Sequence, residues 1–287
     1  MTFSIVAHDG RADPPEWGVA VASKFLSVGA IVPWARAGAG AIATQAFANL
    51  AYGDAGLRRL ERGESAEEVV AALTGADGMR ARRQLGVVDA QGGAANFTGE
   101  ECFEWAGDRT GAGFACQGNI LTGPEVVDEM ARVWQSSDGD LGQRLLSALD
   151  AGDRAGGDRR GRQAAALFLV RAGGGYFGGT DAAVDLRVDD HEQPVGELRR
   201  LFGIHRMMFP RPGDLEFIAV DAGLARRVRE ALETLGYDAG SGEGYDDELK
   251  STLWEFVGVE NYEERWSDDP KIDRAVLGHL FDKAQQP

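Results

Sequence analysis

Cysteine is nearly absent from this 287-residue chain, lysine is scarce, and no long apolar run interrupts it. The two cysteines, Cys102 and Cys116, fit neither a disulfide framework nor a zinc-site spacing, so they read as buried, inert thiols in a reducing compartment. No stretch of about 18 apolar residues offers a membrane span. No charged-then-apolar leader precedes the first strand, and a soluble, cytoplasmic protein is the expectation. Positive charge is also short: 30 Lys and Arg stand against 46 Asp and Glu, for a formal charge of −16. That balance argues against nucleic acid and anionic membrane surfaces as partners. The chain lacks a GxSxG elbow, an HExxH helix, a Walker loop and a dinucleotide fingerprint, so no cofactor and no metal is expected.

What remains is a regular alternation of strands and helices. TFSIVAHD and WGVAVASKFL read as a strand pair joined through Pro14 and Pro15. AIVPWARAGAGAIATQA reads as two more strands hinged on Gly38 and Gly40. Two helices follow, GDAGLRRLERG closing at Gly63 and SAEEVVAALTG opened by the Ser65/Glu68 capping box. RQLGVVDA and GAANFTG, then CFEWAGDR and GFACQGNIL joined at Thr110-Gly111, return to strand pattern. The helices PEVVDEMARVWQ and LGQRLLSALDAG, the latter stopping at Gly152, precede the strands RQAAALFLVRA and AAVDLRV and the helix PVGELRRLFGIHRMM.

The runs VAVA and ALFLV lose the polar–apolar alternation, as strands covered on both faces do. Strands and helix pairs in this order suit two antiparallel sheets stacked face to face with helices outside, an α+β four-layer αββα sandwich. At FPRPGDLEF the pattern breaks, dividing residues 1–208 from a small helical domain over 215–287. There Leu224, Val228, Leu232 and Leu235 form one apolar stripe, and Leu249, Leu253, Trp254 and Phe256 a second.

Thr2 carries the chemistry with the sharpest test. Removal of Met1 would leave a free α-amine and a hydroxyl on one residue, a nucleophile with its own base, although threonine is also an ordinary strand former. Lys24 ends the neighbouring strand, where a partly buried ammonium would stabilise anionic charge; a snorkelling strand-end lysine is the bland reading. Asn119, in CQGNIL, offers an amide to an oxyanion or simply forms a turn. Asp158, in GGDRRG, would orient a catalytic amine or pair with arginine, and Arg159 beside it would face a polar ligand or another surface charge. His191 follows Asp189 and Asp190 without the spacing of a metal site, and a helix start at Pro194 accounts for it better. His8, His205 and His279 show no evident partners in the sequence.

The blocks MTFSIVA, EWGVAVASKFLSVGAIVPWARAGAGAIATQAFAN, RQLGVVDAQG, WAGDRTG, QGNIL, GGDRRGRQAAAL and DLRVDDH, in this order, resemble the bacterial and archaeal family catalogued as domain of unknown function 1028, from residue 2 to about 205. Members are similar in fold to N-terminal nucleophile hydrolases. The resemblance implies Thr2 as nucleophile, its α-amine as base and Lys24 as a nearby cation. It also implies oxyanion donation from Asn119 or from backbone N–H groups around Thr44, Gln45 and Ala46 at the start of the first helix, which would bring Thr44 and Gln45 to the substrate. The tail, through RVREALETLGYDAG and DDELKSTLWEFVGVEN, resembles a peptidoglycan-binding-like domain. The implied activity is hydrolysis of non-peptide C–N amide bonds in a small molecule, by a protein free to form a homo-oligomer. The alternative is a non-catalytic binding or scaffold protein that keeps the sandwich and docks a glycan through its tail.

Overall fold

A computed structural model describes residues 2–285; Met1, whose removal the nucleophile reading requires, lies outside them. The chain divides into two compact units, one running to Leu201 and one beginning at Phe202. In the first unit the strands and helices are, in order, β1 (Thr2–Asp9), β2 (Glu16–Ser23), β3 (Pro33–Arg36), β4 (Gly40–Ala46), α1 (Ala51–Glu61), α2 (Ala66–Gly75), β5 (Arg83–Asp89), β6 (Ala94–Thr98), β7 (Gly107–Gly111), β8 (Phe114–Asn119), α3 (Glu125–Ser136), α4 (Leu141–Arg154), β9 (Ala164–Val170) and β10 (Ala182–Val188). Helix α5 (Pro194–Met208) carries the chain across the division.

Six strands form one antiparallel sheet in the order β10-β9-β2-β1-β8-β7, and four form a second, β3-β4-β5-β6. Strands β1, β2 and β8 lie against β3, β4 and β5 of the other sheet, while α3 and α4 cover the outside of the first sheet and α1 and α2 that of the second. This is the αββα sandwich. Val6, Val19, Val21, Ala41, Ala43, Val88 and Ala166 fill the space between the sheets. Phe3 and Ile5, on the opposite parity of β1, bury their side chains on the helix side. VAVA and ALFLV are apolar throughout because one face meets the other sheet and one meets helices.

Local signals explain most element ends. Ser65 Oγ accepts the Glu68 amide at 3.2 Å while Glu68 Oε2 accepts the Ser65 amide at 2.9 Å, the reciprocal cap that starts α2. Asp140 and Gln143 do the same for α4. Helix α4 does not stop at Gly152. It continues to Arg154, and Gly152 serves close packing, since a Cβ there would sit 2.7 Å from Met130 Cγ. Of CFEWAGDR only Gly107 onward is strand, and the following turn is at Ala112 and Gly113, the latter at φ 76°, rather than at Thr110-Gly111.

The second unit takes the end of α5, then β11 (Phe217–Ala219), α6 (Ala222–Thr234), α7 (Asp247–Val259), β12 (Lys271–Asp273) and α8 (Arg274–Ala284). Val228, Leu232, Leu249, Leu253, Phe256 and Leu280 form its core. Trp254 is off the apolar stripe assigned to it: it is 45% exposed and meets Trp266 edge-on at 5.0 Å. Buried Arg265 donates to Asp273 Oδ1 at 2.8 Å and to the carbonyls of Met207 and Arg206 at 2.7 and 3.0 Å. No helix among the described residues is long and apolar enough to cross a membrane.

Candidate active site

Thr2 opens β1, a central strand held on one side by β2 and on the other by β8, where Asn119 is its partner. It shares parity with Ser4 and Val6, so its side chain belongs to the face between the sheets. It is 4% exposed, its Oγ1 donates to Ser23 Oγ at 3.2 Å, and its carbonyl accepts Gln45 Nε2 at 3.3 Å.

Behind it lies a cluster of uncharged polar side chains, Ser4, Gln45, Gln84, Gln117 and Asn119, each at most 1% exposed. Ser4 Oγ donates to Gln45 Oε1 at 2.7 Å and accepts Gln117 Nε2 at 2.6 Å. Gln84 Oε1 accepts both Gln45 Nε2 and Asn119 Nδ2 at 2.8 Å, and its own Nε2 donates to the Gly118 carbonyl at 2.8 Å. Hydrogen bonds in a dry interior polarise one another and fix orientation, so Gln84 holds Gln45 and Asn119 in place from one atom. Space for the cluster comes from Gly86 in β5, where a Cβ would lie 2.1 Å from Gln117 Oε1.

Two cavities meet here. Thr2 and Gln45, with Phe25, Val28, Ile31, Val32, Phe47 and Leu50, line one of about 310 Å³. Asn119, with Arg82, Glu101, Cys102 and Phe103, lines a second of about 130 Å³, and Ala46 and Phe47 belong to both. Two non-glycine residues here are left-handed: Ala46, the last residue of β4 and part of the cavity wall, at φ 67°, and Ile120, directly after the β8 residue that pairs with Thr2, at φ 49°. Such backbone costs about 1–3 kcal/mol per residue and gathers at functional sites.

One wall is braced by charge. Arg83, buried, donates to Asp77 Oδ2 at 2.9 Å and to the Phe47 carbonyl; the same carboxylate oxygen accepts Tyr52 Oη at 2.9 Å and Asn49 Nδ2 at 3.1 Å. The Arg83 guanidinium holds the Asp77 carboxyl well below the usual carboxylate range, and burial, with the Asp77 hydrogen bond, pushes the Tyr52 phenol up.

Of the residues singled out in the sequence, Thr2, Gln45 and Asn119 converge; the others do not join them. Lys24 is exposed rather than partly buried, and it is its backbone N–H that does the binding, donating to Asp158 Oδ2 at 2.8 Å. Asp158 also accepts the Arg160 amide at 3.0 Å and its guanidinium at 3.0 and 2.7 Å, so it is an arginine-paired carboxylate that ties the end of β2 to the GGDRRG loop. It shares a polar cavity of about 440 Å³ with Ser23. Arg159 uses its amide on the Ile120 carbonyl at 3.1 Å and leaves its side chain exposed. Thr44 lies within β4, not at a helix start, since α1 begins at Ala51; its amide donates to the Val32 carbonyl and its hydroxyl to the Asn49 carbonyl, which leaves neither for a substrate. His191 Nδ1 accepts the Gln193 amide at 2.9 Å just before α5. His8, His205 and His279 do have partners: His8 stacks on Trp17 at 5.0 Å, His205 lies against the rings of Phe202 and Phe209, and His279 Nε2 meets Glu260 Oε2 at 2.8 Å.

Sequence reasoning passed over Ser4, Ser23, Gln84 and Gln117. The available signal was an amide side chain interrupting an otherwise buried strand in β4, β5 and β8.

The family described as "Family of unknown function (DUF1028)" matches residues 2–198, and the one described as "Putative peptidoglycan binding domain" matches residues 211–280. A crystal structure of a DUF1028 protein from Silicibacter pomeroyi is similar at 33% identity and a TM-score of 0.65, covering 71% of this chain and 89% of that one. No curated protein matches the chain.

Proposed function

The chain belongs to the DUF1028 family, and on that premise we propose that it is an N-terminal nucleophile amidohydrolase acting on a non-peptide C–N amide of a small molecule. One observation carries the reading: the hydroxyl of Thr2, at the first position of a central strand, is buried in the wall of a cavity bounded by strained backbone. After loss of Met1, the Thr2 α-amine takes the Oγ1 proton as the oxygen attacks the substrate carbonyl carbon. The negative charge moves to the carbonyl oxygen. One Asn119 Nδ2–H is spent on Gln84, and the other is free to meet that oxyanion. Collapse breaks the C–N bond, the departing nitrogen takes the proton from the amine, and water hydrolyses the resulting ester to free the acid and restore the hydroxyl. Intact-mass analysis of the Met1-processed protein with an electrophilic amide mimic tests this: the adduct should map to residue 2, and an unlabelled or elsewhere-labelled chain rejects it.

A second reading concerns the tail. Its family description and the half-exposed Trp254 beside Trp266 favour stacking on a glycan, since an indole face suits sugar C–H edges. Retention of full-length protein on purified peptidoglycan, lost in Trp254→Ala, would support it.

A further inference from the structure

We propose that the acyl part of the substrate is an uncharged, apolar group about the size of a phenyl ring carrying a few methylenes, and that the polar part lies on the amine side. This deepens the nucleophile reading and rests on it.

The cavity at Thr2 has two polar residues in its wall, Thr2 and Gln45. Gln45 has no N–H left to offer a ligand, since its Nε2 donates to Gln84 Oε1 and to the carbonyls of Thr2 and Gln117, and its Oε1 already accepts the Ser4 hydroxyl. Among the described residues, no charged side chain lines this cavity. A charged group entering it would lose its water without a partner, whereas an apolar one would cover Phe25, Phe47 and Leu50, which stand 50%, 53% and 48% exposed at its rim.

Size follows from volume. An apolar cavity of about 150 Å³ accommodates a benzene ring, and this one, at about 310 Å³, has room for a ring and a short chain. The carbon that Thr2 Oγ1 attacks carries both halves of the substrate, and the apolar wall of the cavity Thr2 lines suits the acyl half, which stays on Oγ1 after the amine has left. The smaller cleft across Ala46 and Phe47 carries Arg82, Glu101 and Asn119, and suits the polar amine half.

Two matched amide series test this, one lengthening the acyl group from acetyl through hexanoyl to phenylpropionyl on a fixed amine, the other varying the amine on a fixed acyl group. In the first, kcat/KM should rise about three- to fourfold per added methylene until the cavity fills. A terminal carboxylate or ammonium on the acyl group should lower it by about a hundredfold. The same order should appear in the affinity of the uncleaved amides for the Thr2→Ala protein, measured by calorimetry. Leu50→Asp, a charge placed at the rim beside the start of α1 where an anion is tolerated, should weaken both by about tenfold for apolar acyl groups. A flat acyl series, or a rise confined to the amine series, overturns the proposal even when turnover occurs. Chain-dependent binding to Thr2→Ala without turnover of any amide by the processed wild type supports the apolar site and rejects the nucleophile.

Discussion

Thr2 Oγ1 and Ser23 Oγ, 21 residues apart in the chain, meet at 3.2 Å where β1 and β2 pair. The neighbour of the candidate nucleophile is therefore a neutral, buried hydroxyl, while the ammonium of the next residue, Lys24, points to solvent. An exposed charge is screened by water and salt, so under the proposed mechanism local hydrogen bonding, rather than a strand-end cation, would assist Thr2.

The threonine itself is tested with wild type, Thr2→Ala and Thr2→Ser, each checked by intact mass for loss of Met1. Amide turnover should vanish in the alanine variant, survive in part in the serine variant, and be absent from any sample that retains the methionine. Full activity in a methionine-retaining sample would end the proposal.

Ser23 and Lys24 should separate cleanly. Ser23→Ala removes the acceptor of the Thr2 hydroxyl, a hydrogen bond of about 0.5–1.5 kcal/mol, and kcat should drop several-fold, up to about tenfold. Lys24→Met leaves the backbone N–H hydrogen bond to Asp158 intact and should hold turnover within about threefold of wild type. A hundredfold loss in Lys24→Met would restore the lysine to the mechanism.

Gln84 is not among the residues lining the cavity at Thr2, yet its Oε1 positions both Gln45 and Asn119. Gln84→Ala leaves buried amides unpaired and should cost about 1–3 kcal/mol of stability by urea unfolding. At a temperature where the variant is fully folded, kcat should fall with KM little changed. An unchanged kcat assigns Gln84 to stability alone.

Acid should loosen the Phe47 wall. The folded-state carboxyl of Asp77 titrates below its ordinary value, chiefly because Arg83 donates to it. Its contribution is thus complete above the ordinary carboxylate value of about 3.9 and lost as pH falls below it. Between neutral pH and about pH 3, wild type should lose more stability than Asp77→Asn, which has forfeited that ion pair already. Parallel losses in the two proteins would contradict this.

The helical unit needs its own beginning. Arg265 spends two of its hydrogen bonds on the carbonyls of Arg206 and Met207, so a fragment from residue 215 leaves a buried guanidinium short of acceptors. A fragment from Phe202 should melt cooperatively and at a higher temperature than one from residue 215. Equal melting temperatures would place the boundary after Met208 instead.

The element order was legible because apolar period, capping boxes and glycine turns are local signals, and Ser65/Glu68 and the VAVA run behave as local chemistry requires; the layering was inferred from that order and not read from any one segment. Thr2 and Asn119 were legible as residue types at strand ends; Gln45 entered only through the family resemblance, which set it at a helix start. What was not legible is orientation. Nothing in WGVAVASKF says that the chain turns Lys24 outward while holding its amide to Asp158, 134 residues away. Nor does a glutamine in a strand declare that its partners are other glutamines on strands β5 and β8 of different sheets. Those pairings are set by sheet stacking, which no stretch of sequence contains.

Gly86 and Gln117 have a consequence for how this sandwich can diverge. With a Cβ at residue 86 only 2.1 Å from the Gln117 amide oxygen, any side chain there collides with an amide already held by Ser4. The constraint runs one way: residue 86 gains a side chain only after residue 117 has become smaller or moved aside. Ser4, on the same strand as the nucleophile, would then have lost its donor. The interior of the two sheets should therefore be inherited as a block, and a descendant that acquires a side chain at residue 86 carries the mark at all three.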